Sequence, residues 1–158
     1  MPIRFHNADI RFSLKHKRKL KQFLHHQINV SSNYHIVSLD FIFCSDEYLL
    51  DINRRFLKHD DYTDIITFDL SENEQSLISE IYISVERVRE NAEKFRRQKH
   101  NTRQNISDKR HQTKTFEFEL YRVMFHGALH LLGYKDKSKK DKEEMRQMED
   151  KWLKEFSL

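Results

Sequence analysis

The sequence predicts a single α+β domain: a small mixed sheet of about four strands flanked by about five helices, with a metal site on a central motif helix. Three observations carry that expectation. Short apolar runs with the two-residue period of strands are interspersed with longer runs of helical period, and no internal repeat or low-complexity tract interrupts them. A length of 158 residues fits one domain over 1–158 with a real core. The chain holds only two glycines, Gly127 and Gly133, and both fall inside one eleven-residue stretch.

The elements follow in order. Residues 3–13 read as a first strand and 14–28 as a basic amphipathic helix, closed by a turn at residues 31–33. His35–Cys44 alternates, with Leu39, Phe41 and Phe43 on one face, and is a second strand. Ser45 or Asp46 caps a helix whose apolar face carries Tyr48, Leu49, Ile52 and Phe56. Residues 64–70 and 80–84 are short strands across a polar turn at 71–76, and Val85–Lys99 is a helix. Residues 100–114 are polar and rich in Asn, Gln, Thr and Lys, which predicts a mobile loop. From 115 to 132 apolar residues go most of the way round a helix, the mark of a buried one. Ser138 followed by Asp141 resembles a capping box that opens a last helix with Met145, Met148, Trp152 and Phe156 in one stripe.

Composition narrows the function classes. No apolar run approaches the ~20 residues needed to span a bilayer, and residues 1–6 lack the apolar core of a signal peptide, so a cytoplasmic protein without a membrane partner is expected. The single cysteine, Cys44, excludes an internal disulfide and reads as a buried, inert thiol. Net charge is only +4, but residues 94–114 hold eight Lys/Arg against Asp108, and residues 15–21 add five more cations. One such run is ordinarily a solvated helix face; two of them beside a hydrolytic site point to a polyanionic substrate.

The glycine-bearing stretch supplies that site. His126, His130, Gly133 and Asp136 sit at offsets 0, 4, 7 and 10. Side chains at i and i+4 share a helical face, so both imidazoles reach one ion. Gly133 can end the helix in a left-handed conformation and let the chain fold back to deliver Asp136. Three protein ligands leave a four-coordinate ion one open position for water, as in catalytic rather than structural zinc. Catalysis by His126, His130 and Asp136 is therefore expected to run through that water. A carboxylate ligand also makes the site tolerant of manganese and other oxygen-loving divalent ions. Gly127 occupies the place of the glutamate base in H-E-x-x-H metalloproteases, which makes a protease-like hydrolase the weakest reading. Glycine there suits close approach by a substrate or by another element.

These residues resemble the YbeY family of bacterial rRNA-maturation endoribonucleases, whose signature H-G-x-L-H-L-x-G-Y-D-H is matched by His126, Gly127, Leu129, His130, Leu131, Gly133 and Tyr134. A second family segment resembles Asn53 followed by Thr63, Asp64, Ile65, Ile66, Thr67 and Phe68, and the order of elements agrees over nearly the whole chain. The resemblance implies zinc, cleavage of single-stranded RNA, maturation of the small-subunit rRNA 3′ end and ribosome quality control, with rRNA and the small ribosomal subunit as partners. The chain departs from the family pattern at several positions. Asp136 stands for the third histidine and Lys135 for the usual aspartate before it. Phe56-Leu57 stands where the family has Tyr-Arg, and Ser79-Glu80 where it has Gly-Asp. Arg54, Arg55 and Lys58 are the candidates to replace the missing arginine, Arg55 as a catalytic group. With Arg96, Arg97 and Lys99 they make up the expected RNA-binding set. A different class of reading is an rRNA-binding assembly factor whose metal is a structural staple.

Overall fold

Backbone alternation and helical stripes become two layers. The computed structural model describes residues 2–99 and 109–157. Strand β1 (Ile3–Asn7), helix α1 (Lys17–Ser31), β2 (His35–Cys44), α2 (Asp46–Ile52), β3 (Ile65–Asp69), β4 (Ser76–Ser84), α3 (Val85–Lys99), α4 (Lys109–Leu131) and α5 (Lys139–Ser157) follow in chain order. The sheet order is β1-β2-β4-β3, with β1 and β4 parallel to β2 and β3 antiparallel to β4. The register sets Ile3 beside Leu39, Phe41 beside Ile81 and Thr67 beside Ile81. The predicted mixed sheet and five flanking helices are what the chain forms.

The main core lies between the sheet and helices α1, α3, α4 and α5, where Phe41, Phe43, Phe125 and Trp152 are fully buried among aliphatic side chains. A smaller cluster of Cys44, Leu49, Ile52 and Ile66 lies beneath α2, with Phe68 and Tyr82 packed on it. Burial, with help from the charges of Asp9, Asp46 and Glu86, pushes the Cys44 thiol up to about 12, so it is the inert group expected. No described helix is long and apolar enough to cross a membrane.

Several boundaries differ from the sequence reading, each for a local reason. The first strand ends at Asn7 rather than at 13, because Asn7 turns its side-chain amide onto the Phe12 carbonyl at 2.9 Å and folds the chain back. Helix α1 begins at Lys17, after His16 takes a left-handed conformation. Strand β4 starts four residues early, at Ser76; Ser79 is buried and bonds the Phe68 carbonyl at 2.7 Å, so a hydroxyl stands where the alternation calls for an apolar residue. Of the expected loop at 100–114, residues 109–114 are instead the first turns of α4, and residues 100–108 lie outside the described residues. Ser45 caps α2 by accepting from the Tyr48 amide at 3.1 Å, and Ser138 accepts from the Asp141 amide at 3.0 Å, as the sequence predicts.

Helix α2 does not carry Phe56 inward. It widens into a π turn over Asn53–Leu57, which lags the α-helical rotation and swings Phe56 out to 68% exposure. Asn53 stays buried, and its side-chain amide holds the Asp61 carbonyl at 2.7 Å, pinning the following loop.

Gly127 marks where α4 meets the sheet. A Cβ there would lie 2.9 Å from Ile65 Cδ1 and 3.1 Å from Ile81 Cδ1, so the residue serves close helix–sheet packing rather than substrate approach. Gly127→Ala should be near neutral, because about 1 kcal/mol of helix propensity offsets a modest clash. Gly127→Val should cost about 2 kcal/mol or more in denaturant unfolding, since its branched side chain forces α4 off β3 and β4.

Asp40 yields a pH prediction. Burial raises its carboxyl, but hydrogen bonds from Arg4, Ser38 and His6 outweigh that and hold it at about 2 against an ordinary 3.8. The folded value is depressed, so the stability it contributes is complete above the unfolded value and lost as pH falls from about 4 toward 2. With half-exposed partners it is worth ~1–2 kcal/mol. Asp40→Asn should remove that increment at pH 7 and flatten the acid limb of an unfolding-versus-pH series.

Candidate metal centre

The site is built at the C-terminal end of α4, whose apolar girth fixes it against the sheet and α5. His126 and His130 emerge one turn apart on its half-buried face. The helix then stops: Gly133 adopts φ 99°, its amide donates to the His130 carbonyl at 3.0 Å, and the Tyr134 amide donates to the Leu129 carbonyl at 3.1 Å. This paired bonding is a Schellman ending, open to glycine because of its positive φ. It reverses the chain so that Asp136 comes back over the two imidazoles.

The three candidate ligand atoms form a triangle. His126 Nε2 lies 3.0 Å from His130 Nε2, and Asp136 Oδ2 lies 3.3 Å from the first and 3.4 Å from the second. Donor atoms ~2.0–2.1 Å from a tetrahedral ion lie roughly 3.3–3.4 Å from one another, so the triangle has the size of one face of such a shell. The protonation logic agrees. His126 Nδ1 faces the Glu149 carboxylate at 2.9 Å, and His130 Nδ1 faces the Tyr134 carbonyl at 2.9 Å. Both partners only accept, which assigns the proton of each neutral ring to Nδ1 and leaves both Nε2 atoms as lone pairs. Two lone pairs and a carboxylate oxygen then point at one spot with no donor among them. A cation answers that arrangement, and no other three His, Cys, Asp or Glu side chains among the described residues converge in this way.

Behind the triangle lies a buried charge relay. Glu149 accepts from Arg122 Nη1 at 2.8 Å on its other oxygen, and Arg122 also holds Glu119 through Nε at 2.9 Å. Burial raises the Glu149 carboxyl, but hydrogen bonds from His126 and Arg122 outweigh it and keep it ionised. Burial likewise opposes the Arg122 charge, and its two carboxylate partners more than restore it. The relay thus orients the His126 ring, with Nε2 turned toward the triangle.

The triangle opens into a cleft of ≈ 710 Å³ whose other wall is Asn53, Leu57, His59 and the loop leading into β3. Asp64 lines it, and desolvation pushes that carboxyl above the ordinary range despite the opposing charge of Arg122.

The residues singled out in the sequence separate into two groups. His126, His130 and Asp136 are brought together. Asn53, Thr63, Asp64, Ile65, Ile66 and Thr67 of the second family segment line the same cleft, whereas the candidate cations Arg54, Arg55, Lys58, Arg96 and Arg97 do not. Arg55 pairs with Asp51 at 3.1 Å and lines a separate hollow beside Phe56, Phe68 and Tyr82; Arg54 pairs with exposed Asp60. Lys58 is exposed on a left-handed backbone. Arg96 pairs with Glu93 at 3.1 Å and Arg97 is exposed, both on α3; the Lys99 side chain lies outside the described residues. The Lys15–Lys21 cluster packs in part, with Lys19 over Phe156 and Lys21 over Phe5. The sequence reading missed Glu149 and Arg122, two charged residues on otherwise apolar helix faces. It also missed the exposed lysines 135, 137, 139, 140 and 142, five in eight residues around ligand Asp136.

A buried helix presenting two histidines and a returning aspartate into an open cleft defines a single-domain α+β protein with a candidate metal centre. A family model described as Endoribonuclease YbeY matches residues 3–157. The chain is 43% identical over 146 residues to an Endoribonuclease YbeY of Cytophaga hutchinsonii, covering 92% of this chain and 90% of that one. It is 40% identical over 152 residues to one of Flavobacterium johnsoniae, covering 96% of each. A solution structure from Thermotoga maritima superposes with a TM-score of 0.56 at 26% identity, covering 98% of this chain and 88% of that one. The chain belongs to the YbeY family.

Because Glu149 holds His126 from behind, Glu149→Gln should keep the fold but weaken metal affinity by roughly 10–100-fold, read by competition with a chromogenic chelator.

Proposed function

We propose that this protein is a metal-dependent endoribonuclease that cuts single-stranded RNA in the cytoplasm. Its substrate is rRNA, and it serves maturation of the small-subunit 3′ end and ribosome quality control on the small ribosomal subunit. The observation that carries the reading is the convergence of two imidazole nitrogens and a carboxylate oxygen, 3.0–3.4 Å from one another, in the lining of an open cleft. The names of its relatives supply the substrate class.

His126 Nε2, His130 Nε2 and Asp136 Oδ2 would hold zinc, or another divalent ion that accepts an oxygen ligand. Such an ion supplies Lewis acidity to a phosphoryl oxygen and lowers the pKa of water. The rest falls to the chain's own groups. The exposed lysines beside Asp136 in the chain attract phosphates, and Arg54, Arg55, Lys58, Arg96, Arg97 and Lys99 add to that attraction. Tyr62, 48% exposed on the cleft wall, offers a ring on which an unpaired base stacks, which favours single strands. Gly127 is packed against Ile65 and Ile81, so position 127 has no room for a protease base.

Purified protein should carry about one equivalent of divalent metal, lost in His126→Ala and in His130→Ala, as read by elemental analysis. Both variants should lose single-turnover cleavage of single-stranded rRNA fragments yet keep most RNA affinity, because that affinity comes from cations elsewhere. Metal-free wild-type protein, or cleavage undiminished in His126→Ala, would remove the nuclease reading and leave the assembly-factor one. Charge reversal at Lys135 and Lys137 should weaken binding and lower the salt slope by ~0.7 for each phosphate that the variant no longer neutralises.

A further inference from the structure

The charge inventory of the cleft is unusual for a site that takes a polyanion. Its described lining contains Asp61, Asp64, Asp69 and Asp136 and three imidazoles, and neither a lysine nor an arginine. Two of the imidazoles, His126 and His130, are committed to the metal triangle by their Nδ1 partners. His59 is the third. We propose that His59 is the general acid of this site, giving its proton to the oxygen that leaves phosphorus when the RNA strand is cut. The assignment rests on the endoribonuclease reading above.

The fold fixes the backbone that carries this exposed side chain. The π turn after α2 ends at Lys58 in a left-handed conformation, and the His59 amide returns to the Asn53 carbonyl at 3.2 Å. Buried Asn53 also fixes the Asp61 carbonyl at 2.7 Å, so the loop is tied on both sides of residue 59 by one side chain and its own backbone. The loop is therefore a built wall, and His59, an exposed residue, is part of the cleft lining it provides. The titratable groups that share the cleft with it are Asp61, Tyr62 and Asp64 of its own loop, Asp69 of β3, His126 and His130 of α4, and Asp136. Lys58 and Asp60 flank it in sequence.

Chemistry selects His59 from that set. A leaving alkoxide needs a proton, and imidazolium is the side-chain acid that ordinarily gives one up near neutral pH. Arginine does not release its proton in proteins, and here Arg54 and Arg55 are held by Asp60 and Asp51 away from the lining. The balance is simple. A water oxygen forms the new bond to phosphorus and its proton passes to solvent. The bond to the leaving nucleoside's oxygen breaks, that oxygen takes the proton from His59, and the imidazole regains one from solvent before the next turnover.

The test compares two substrates in single-turnover cleavage by intact protein carrying its metal: a single-stranded RNA, and the same RNA with sulfur in place of the leaving oxygen. A thiolate leaves without a proton. His59→Ala should slow the oxygen substrate by roughly 10²–10⁴-fold while the sulfur substrate is cut at close to the wild-type rate. Metal content should be unchanged, the alkaline fall of the wild-type rate should vanish in the variant, and His59→Gln should behave as His59→Ala does. Equal slowing on both substrates, or no slowing on either, overturns the assignment while leaving the nuclease reading intact. Failure of wild-type protein to cut the oxygen substrate at all would remove both.

Discussion

Two imidazoles one helical turn apart bring their Nε2 lone pairs to 3.0 Å only because each ring is held by its other nitrogen. That double anchoring is the constraint from which the site follows. Left to itself, a histidine ring swings about two torsions and trades its proton between nitrogens. Here Glu149 from α5 and the Tyr134 carbonyl from the reversing chain remove both freedoms. The anchors in turn require α4 to lie in one place against α5 and the sheet. Gly127 permits that by admitting the Ile65 and Ile81 side chains where a Cβ would stand. Packing, tautomer and ligand geometry are therefore one chain of cause.

Much of this is legible in the sequence. The i, i+4 histidines, the glycine stop and the returning aspartate are local features, fixed by helix periodicity and by the one backbone conformation that favours glycine. The mixed sheet follows from periodicity as well, and both serine caps from their spacing. What escapes is of a different kind. Glu149 sits 23 residues from His126 and acts on it across an interhelix contact, so no local window contains the pair. Arg122 and Glu119 look like a surface ion pair at helical spacing until burial of Glu119 and Glu149 is known. The π turn is hidden too, since five residues of ordinary helix-forming sequence do not announce one extra residue per turn. Its consequence, an exposed Phe56 and an outward Arg55, overrides the amphipathic pattern read along α2.

Charge placement is the least legible property. Basic runs in the sequence suggest where a polyanion would lie, yet the described cleft is lined by carboxylates and imidazoles, and the arginines of the π turn are tied to Asp51 and Asp60. Formal charge counts residues, whereas a substrate meets only the charge left after neighbouring side chains have paired. The lysines around Asp136 differ from the arginines in this respect: Lys135 and Lys137 are exposed and adjoin a metal-facing carboxylate in the chain. An approaching phosphate therefore meets, without an ion, negative charge within the cleft, and the exposed lysines flank Asp136 only in the chain.

That inversion says why a polyanion entering the cleft would depend on a bound cation. Three of the cleft's four carboxylates, Asp61, Asp64 and Asp69, lie outside the triangle, and desolvation already lifts Asp64 above the ordinary carboxylate range. A divalent cation bound by one carboxylate and two neutral rings would leave a net charge of about +1 at the triangle, where Asp136 alone leaves −1. The histidine edge of the triangle is set by a rigid buried helix. Its two edges to Asp136 are set by a loop whose ligand side chain is 43% exposed. The rigid half would fix where a bound ion lies; the adaptable half would set how far the third oxygen stands from it, and with that distance the choice between a small tetrahedral ion and a larger one.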